Sequence, residues 1–105
     1  MFAYKKLKES GISFSYEGRK IQLIPKFEYN KEKVRECTYT PDFVGDGWIL
    51  EIKGFSNDVF PIKWKLLKYL LYKTEENNEL YLVKNQKGVN EVIEKIKQLQ
   101  INGKS

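Results

Sequence analysis

Residues 39–55 read YTPDFVGDGWILEIKGF, and the fold turns on how this stretch is parsed. Gly45-Asp46-Gly47 supplies a tight turn, so the segments before and after it are expected to be strands lying side by side. Alternate residues of a strand share a face, which puts Ile49, Glu51 and Lys53 on one side and Leu50 and Ile52 on the other. Asp42 then comes from the neighbouring strand at a similar level, and two carboxylates and one ammonium converge. Like charges so close repel and raise a pKa unless a cation shares the site, so the arrangement is costly without a ligand. A hard divalent ion relieves it. Mg²⁺ takes few protein carboxylates and keeps several waters, one of which it acidifies. Lys53 is then placed to orient that water or to offset charge developing on a phosphate.

Working outward, the chain of 105 residues is one domain's worth, residues 1–105, with a single core and no room for a separate cofactor domain. The formal charge of +5 and pI near 9.2 come from lysines spread between Lys5 and Lys104. That balance suits a polyanion and favours nucleic acid over membrane. No leader-like apolar region opens the sequence and no apolar run approaches the roughly 20 residues that span a bilayer, so a soluble, intracellular protein is expected. Cys37 is the sole cysteine and histidine is absent. Cys/His zinc clusters, Ser-His-Asp triads and Cys-His dyads are therefore excluded, and the available chemistry is that of carboxylates, lysine and hard metal ions. Cys37 itself reads as a small strand residue.

MFAYKKLKES has apolar Phe2, Ala3 and Leu7 between lysines and is expected to be the last turns of a helix stopped by Gly11. ISFSYEG and RKIQLIPKFEYN read as a hairpin or meander, with Ile21, Leu23 and Tyr29 half-buried and Pro25 marking an edge or bulge. KEKVRECTYTPDFVG alternates again, with Val34, Cys37 or Thr38, and Tyr39 competing for the core face. From Asp58 to Lys73 the period becomes helical: Phe60, Trp64, Leu67 and Leu71 fall within roughly 60° of one another, flanked by Val59, Leu66 and Leu70. Asn57 or Asp58 would cap this helix, and Pro61 fits its first turn. Lys65, Lys68 and Tyr72 face solvent, whereas Lys63 borders the buried stripe, where a long amine must snorkel to water or find an anion. ELYLV reads as a buried strand, VNEVIEKIKQLQI as a helix with Val89, Val92, Ile93, Ile96 and Leu99 inward, and NGKS as a frayed tail.

Pro41-Asp42-Phe43, followed after eight residues by Glu51-Ile52-Lys53 and then Gly54, resembles the PD-(D/E)XK nuclease motif. The run from Tyr39 through the lysine-rich helix is similar to small phage-encoded members of that superfamily, the group of Holliday-junction resolvases and phage endonuclease I-like enzymes. The resemblance is strong over the middle third and rests elsewhere on element order. It implies an α/β fold with a restriction-endonuclease-like αβββαβ core, a mixed sheet flanked by helices. It also implies Mg²⁺- or Mn²⁺-dependent hydrolysis of DNA, branched substrates such as junctions included, in the cytoplasm of a bacterial host by a phage or prophage product. By this likeness Asp42, Glu51 and the Ile52 carbonyl would hold the metal, and Lys53 would be the catalytic lysine. Lys63 would face the scissile phosphate or brace the site, and with Lys65 and Lys68 would form the DNA-binding set. Symmetric cutting of a junction would call for a homodimer.

One departure stands out. In many members a glutamate on the first helix adds a metal ligand or positions a water, and here that position would fall before Met1. Glu9 is the only acid in the helical fragment and is the candidate left. The protein then works with two carboxylates, starts from a truncated front, or keeps the fold for binding without cleavage. A noncatalytic nucleic-acid- or protein-binding module, such as a phage accessory or inhibitor protein, is the rival reading, and a structural interaction domain the third. The same residues also fit a plainer account: Asp42 as a turn or cap, Glu51 and Lys53 as a solvated strand face or cross-strand ion pair. Trp48 and Trp64 read as core, with Trp48, beside the turn, open to exposure. Gly54 lets the chain leave its strand sharply.

Overall fold

A hairpin over residues 43–52 organises the protein. In the computed structural model, which describes residues 2–53 and 59–102, β6 (Phe43–Gly45) pairs antiparallel with β7 (Trp48–Ile52) across the loop Asp46-Gly47. Gly47 takes φ +84°, which a side chain would strain, and Gly45 is required for another reason: a Cβ there would lie 2.1–2.3 Å from the Trp48 indole. β1 (Ser15–Tyr16) pairs antiparallel with the other edge of β6, and β8 (Glu79–Val83) lies parallel to β7, giving a mixed four-stranded sheet ordered β1-β6-β7-β8.

Among the described residues three helices cover this sheet. α1 (Phe2–Glu9) buries Ala3 and Leu7, one turn apart, and ends where the Ser10 hydroxyl donates to the Leu7 carbonyl and Gly11 adopts φ +79°. α3 (Gln86–Asn102) buries Val89, Val92, Ile93 and Ile96, the spacing of one helical face. Both pack with Phe43, Trp48 and Leu50. The opposite face of the sheet presents Val44 and Ile49 to Phe60, Leu67 and Leu71 of α2 (Phe60–Lys73), the crossover between the parallel strands β7 and β8. Alternation along β7 thus feeds both cores, and the sheet is buried on both sides at its centre.

Between β1 and β6 the chain makes an excursion. β2 (Ile21–Ile24) pairs with β5 (Cys37–Tyr39), and β3 (Phe27–Tyr29) with β4 (Glu32–Val34), as two antiparallel two-stranded pieces. The register slips between Gln22 and Ile24, so the irregularity expected near Pro25 lies just before it. Asn30 and Lys31 both have positive φ at the tip, the geometry of a tight two-residue hairpin turn. Ile21 and Leu23 pack toward α2 beside Tyr39.

Several expectations are corrected. The continuous meander is not what forms: β1 pairs with β6 rather than β2, because Glu17 at φ +49° turns the chain away, and residues 31–45 break into strands of three different pairings. Tyr29 is exposed rather than half-buried. Val59 is exposed and stands as the residue preceding α2, without a side-chain cap bond; the caps expected from Asn57 or Asp58, the turn at Gly54 and the tail at 103–105 lie outside the described residues. ELYLV is an edge strand rather than a buried one, with Leu82 exposed and Val83 alone buried, since only its β7 side is paired. α3 begins earlier than its apolar stripe suggests, at Gln86, where the Asn85 side chain accepts the Gly88 N–H at 2.8 Å. Among the described residues no helix is long and apolar enough to cross a membrane.

Candidate functional site

Pro41 is fully buried and delivers Asp42 to the start of β6. From there Asp42 ties three strands together. Its carbonyl accepts the Glu17 N–H at 2.9 Å from the end of β1, and its carboxylate Oδ2 accepts the Ile52 N–H at 2.8 Å from β7. Phe43 pairs with Leu50, so the position beside it in register places Asp42 next to Glu51, on the α2 side of the sheet. Glu51 Oε1 accepts the Asp42 N–H at 3.3 Å and the Tyr39 hydroxyl at 2.5 Å. Each acid is thereby oriented by donors on the adjoining segment.

Burial dominates the electrostatics. Glu51 retains only 9% of its surface exposure and Asp42 is half-buried, so neither is a solvated strand face or an ordinary turn residue. Desolvation pushes both carboxyls above their ordinary range. For Glu51 the Tyr39 hydrogen bond opposes this and the Asp42 charge adds to it. For Asp42 the Ile52 N–H opposes it, the Glu17 charge adds to it and Lys53 offsets part. Tyr39 is held far above the usual phenol range by burial and by its bond to Glu51, and so stays a hydrogen-bond donor.

Lys53 leaves β7 next to the acids, its N–H donating to the Val83 carbonyl at 2.8 Å. Its ammonium sits 4.1 Å from the centroid of the Phe60 ring, a cation–π contact, and among the described residues it forms no ion pair with either acid. The expected cross-strand salt bridge is therefore not how the lysine is held. Lys63 lies half-exposed one turn along α2 from Phe60, at the border where the sequence placed it; Lys65 and Lys68 are exposed. Glu9 is not brought to the cluster: it is exposed at the end of α1, 3.9 Å from Lys6, and α1 packs against the other face of the sheet.

Two participants were not singled out from the sequence. Tyr39 was legible only as a core candidate, yet it is the donor that fixes Glu51. Glu17 sits in a Glu-Gly pair that reads as a turn, and pairing of β1 with β6 carries its charge toward Asp42. The only signal for it was the short alternating segment before it.

The donor set suits a hard cation. The described hydrogen bonds engage Oδ2 of Asp42 and Oε1 of Glu51, which leaves Oδ1 and Oε2 as further acceptors. The Ile52 N–H faces Asp42, and in extended backbone the carbonyl of the same residue faces the same side. No group of three or more Cys, Asp or Glu side chains placed to hold a metal occurs among the described residues. Mg²⁺ sites commonly use one or two carboxylates and complete the shell with water, so two acids remain compatible with that ion. Comparison with family models, curated proteins and solved structures returned no match to this chain.

Proposed function

We propose that this protein is a Mg²⁺- or Mn²⁺-dependent nuclease domain that hydrolyses DNA phosphodiesters, built on a restriction-endonuclease-like αβββαβ core. One observation carries the reading: Asp42 and Glu51 are desolvated together and tethered to each other's segments, with Lys53 two residues beyond Glu51, just past the end of β7. The sequence α1, β1, β6, β7, α2, β8, with the β2–β5 excursion set aside, supports the likeness in element order.

Asp42, Glu51 and the Ile52 carbonyl would hold the ion. When bound, it supplies a more acidic water and offsets charge on the phosphate. The protein's own part is positional. Tyr39 keeps Glu51 from rotating, the Ile52 N–H does the same for Asp42, and Lys53 can leave the Phe60 ring to orient the attacking water or neutralise the phosphate. Lys63, one turn from Phe60, would brace an incoming phosphate, with Lys65 and Lys68 farther along the helix. A branched or junction DNA, a homodimer and a phage source follow from the motif resemblance.

Calorimetric titration of Mn²⁺ into wild type, Asp42→Ala and Glu51→Ala, paired with nicking of branched and linear DNA, tests this. Metal binding and metal-dependent nicking should both disappear in the acid variants, while Lys53→Ala should bind metal without cutting. A folded wild type that binds DNA in a salt-sensitive way but takes no metal, with Asp42→Ala indifferent, would move the reading to a noncatalytic DNA-binding module.

A further inference from the structure

The outer half of the β2–β5 excursion is the least covered part of the described chain. Every residue of β3 is exposed, Phe27 at 48% and Tyr29 at 64%, and only Val34 of β4 is partly sheltered. Such a pair of short strands is marginally stable alone, and large aromatics on it need a reason.

Register sorts its two faces. Phe27 lies opposite Val34 and Tyr29 opposite Glu32, so one face carries both aromatics; Glu28 and Lys33 share the other. Around these, residues 19–36 hold six basic side chains, Arg19, Lys20, Lys26, Lys31, Lys33 and Arg35, against three acids, Glu28, Glu32 and Glu36. A narrow two-stranded ribbon is one of the elements that fit the major groove of duplex DNA, and its cations complement phosphates along the groove walls.

The ribbon is also tied to the site through the chain. It lies beyond the β2–β5 pair, whose Tyr39 donates to Glu51, and at about 3.3 Å per residue the chain from Tyr39 to the tip at Glu32 spans at most about 23 Å. At about 3.4 Å per base pair that keeps the tip within about seven base pairs of the site.

We propose that residues 27–34 form an arm that lies in the major groove of duplex DNA within one helical turn of the Asp42–Glu51 site. Phe27 and Tyr29 lie against sugars and base edges, while Lys31 at the turn and Lys33 on the outer face, with Lys26 and Arg35 at the two ends of the ribbon, reach sideways to phosphates of the groove walls. The arm rests on the reading of DNA as substrate and adds to it how the duplex is held.

The test is fluorescence anisotropy with a labelled 30-base-pair duplex in EDTA, so that nothing is cut, across a series of salt concentrations. Wild type is compared with Lys31→Glu/Lys33→Glu, Phe27→Ser/Tyr29→Ser and the α3 control Lys95→Glu, each checked by thermal melting. Charge reversal should weaken binding at least tenfold at 0.1 M salt and flatten the slope of log K against log salt by about two, given about 0.9 per phosphate contact. The aromatic pair should weaken binding with little change in slope, and Lys95→Glu should do neither. Arm variants that bind like the control, while wild type binds DNA, overturn the arm and leave the DNA reading standing. Absence of salt-dependent binding by wild type removes both. A wild-type dimer that Phe27→Ser/Tyr29→Ser converts to a monomer, with DNA affinity unchanged, would reassign the aromatic face to a second copy of the chain and overturn the proposal.

Discussion

Replacing Tyr39 by Phe removes one hydroxyl and little else. The ring keeps its place 6.3 Å from both Phe60 and Trp64, so packing is retained, while Glu51 loses its 2.5 Å donor and keeps only the longer bond from the Asp42 N–H. A hydrogen bond to an ionised acceptor contributes about 1.5–3 kcal/mol net, and one between neutral groups about 0.5–1.5 kcal/mol. The Tyr39 bond favours the ionised form of Glu51, against the burial that raises its pKa. Its full contribution is therefore present where Glu51 is ionised and declines as pH falls through the folded-state value. The expected loss is about 2 kcal/mol at pH 8, narrowing to about 1 kcal/mol near pH 4. Urea unfolding of both proteins at the two pH values measures it as a difference in midpoint at constant m. A penalty that is flat with pH, or that grows toward acid, would refute the claim that Tyr39 stabilises a charged Glu51.

Three further outcomes are expected. Asp42→Asn keeps an acceptor for the Ile52 N–H but removes a carboxylate whose folded pKa is raised. The stability that group contributes in wild type is full below the unfolded carboxylate range, near 4, and is lost as pH rises through the higher folded value. The variant should therefore flatten the pH dependence and be the more stable protein in metal-free buffer above neutrality, while binding no Mn²⁺; equal pH profiles by thermal melting would contradict this. Gly45→Ala should cost about 1–3 kcal/mol or more, because its methyl meets the fully buried Trp48 indole, whereas Gly47→Ala, in open space at φ +84°, should cost only about 1–2 kcal/mol; urea midpoints that reverse this order would contradict the packing. Asn85→Ala should lower stability by about 1 kcal/mol in the same assay through the lost cap on α3, and no change would argue against that bond.

What was legible in the sequence follows the range over which its signals act. The β6–β7 hairpin was readable because a glycine-flanked turn and period-two alternation specify it locally, and that hairpin alone brings Asp42 and Glu51 together. The stripe of α2 was readable for the same kind of reason: Phe60, Leu67 and Leu71 are buried and Lys65 and Lys68 exposed. Pairings between distant segments were not. Nothing in ISFSYEG says that Ser15 will meet Val44 instead of the strand that follows, and with that pairing went the position of Glu17. The resting place of Lys53 on Phe60 and the bond from Tyr39 likewise depend on how α2 and β5 dock on the sheet, which no local period encodes.

The confinement of both acids and the lysine to a segment of twelve residues, 42–53, bears on how the protein folds. A hairpin of this length closes in about 1–10 μs, far sooner than contacts that need long loops to form. The charges are then expected to meet while water still surrounds them, and to be desolvated only when α2 arrives over Ile49. Repulsion between the acids therefore enters late, at docking, so divalent ions should accelerate that last step, and stopped-flow refolding followed by tryptophan fluorescence with and without Mg²⁺, in which hairpin closure is over within the dead time, would show whether it speeds up.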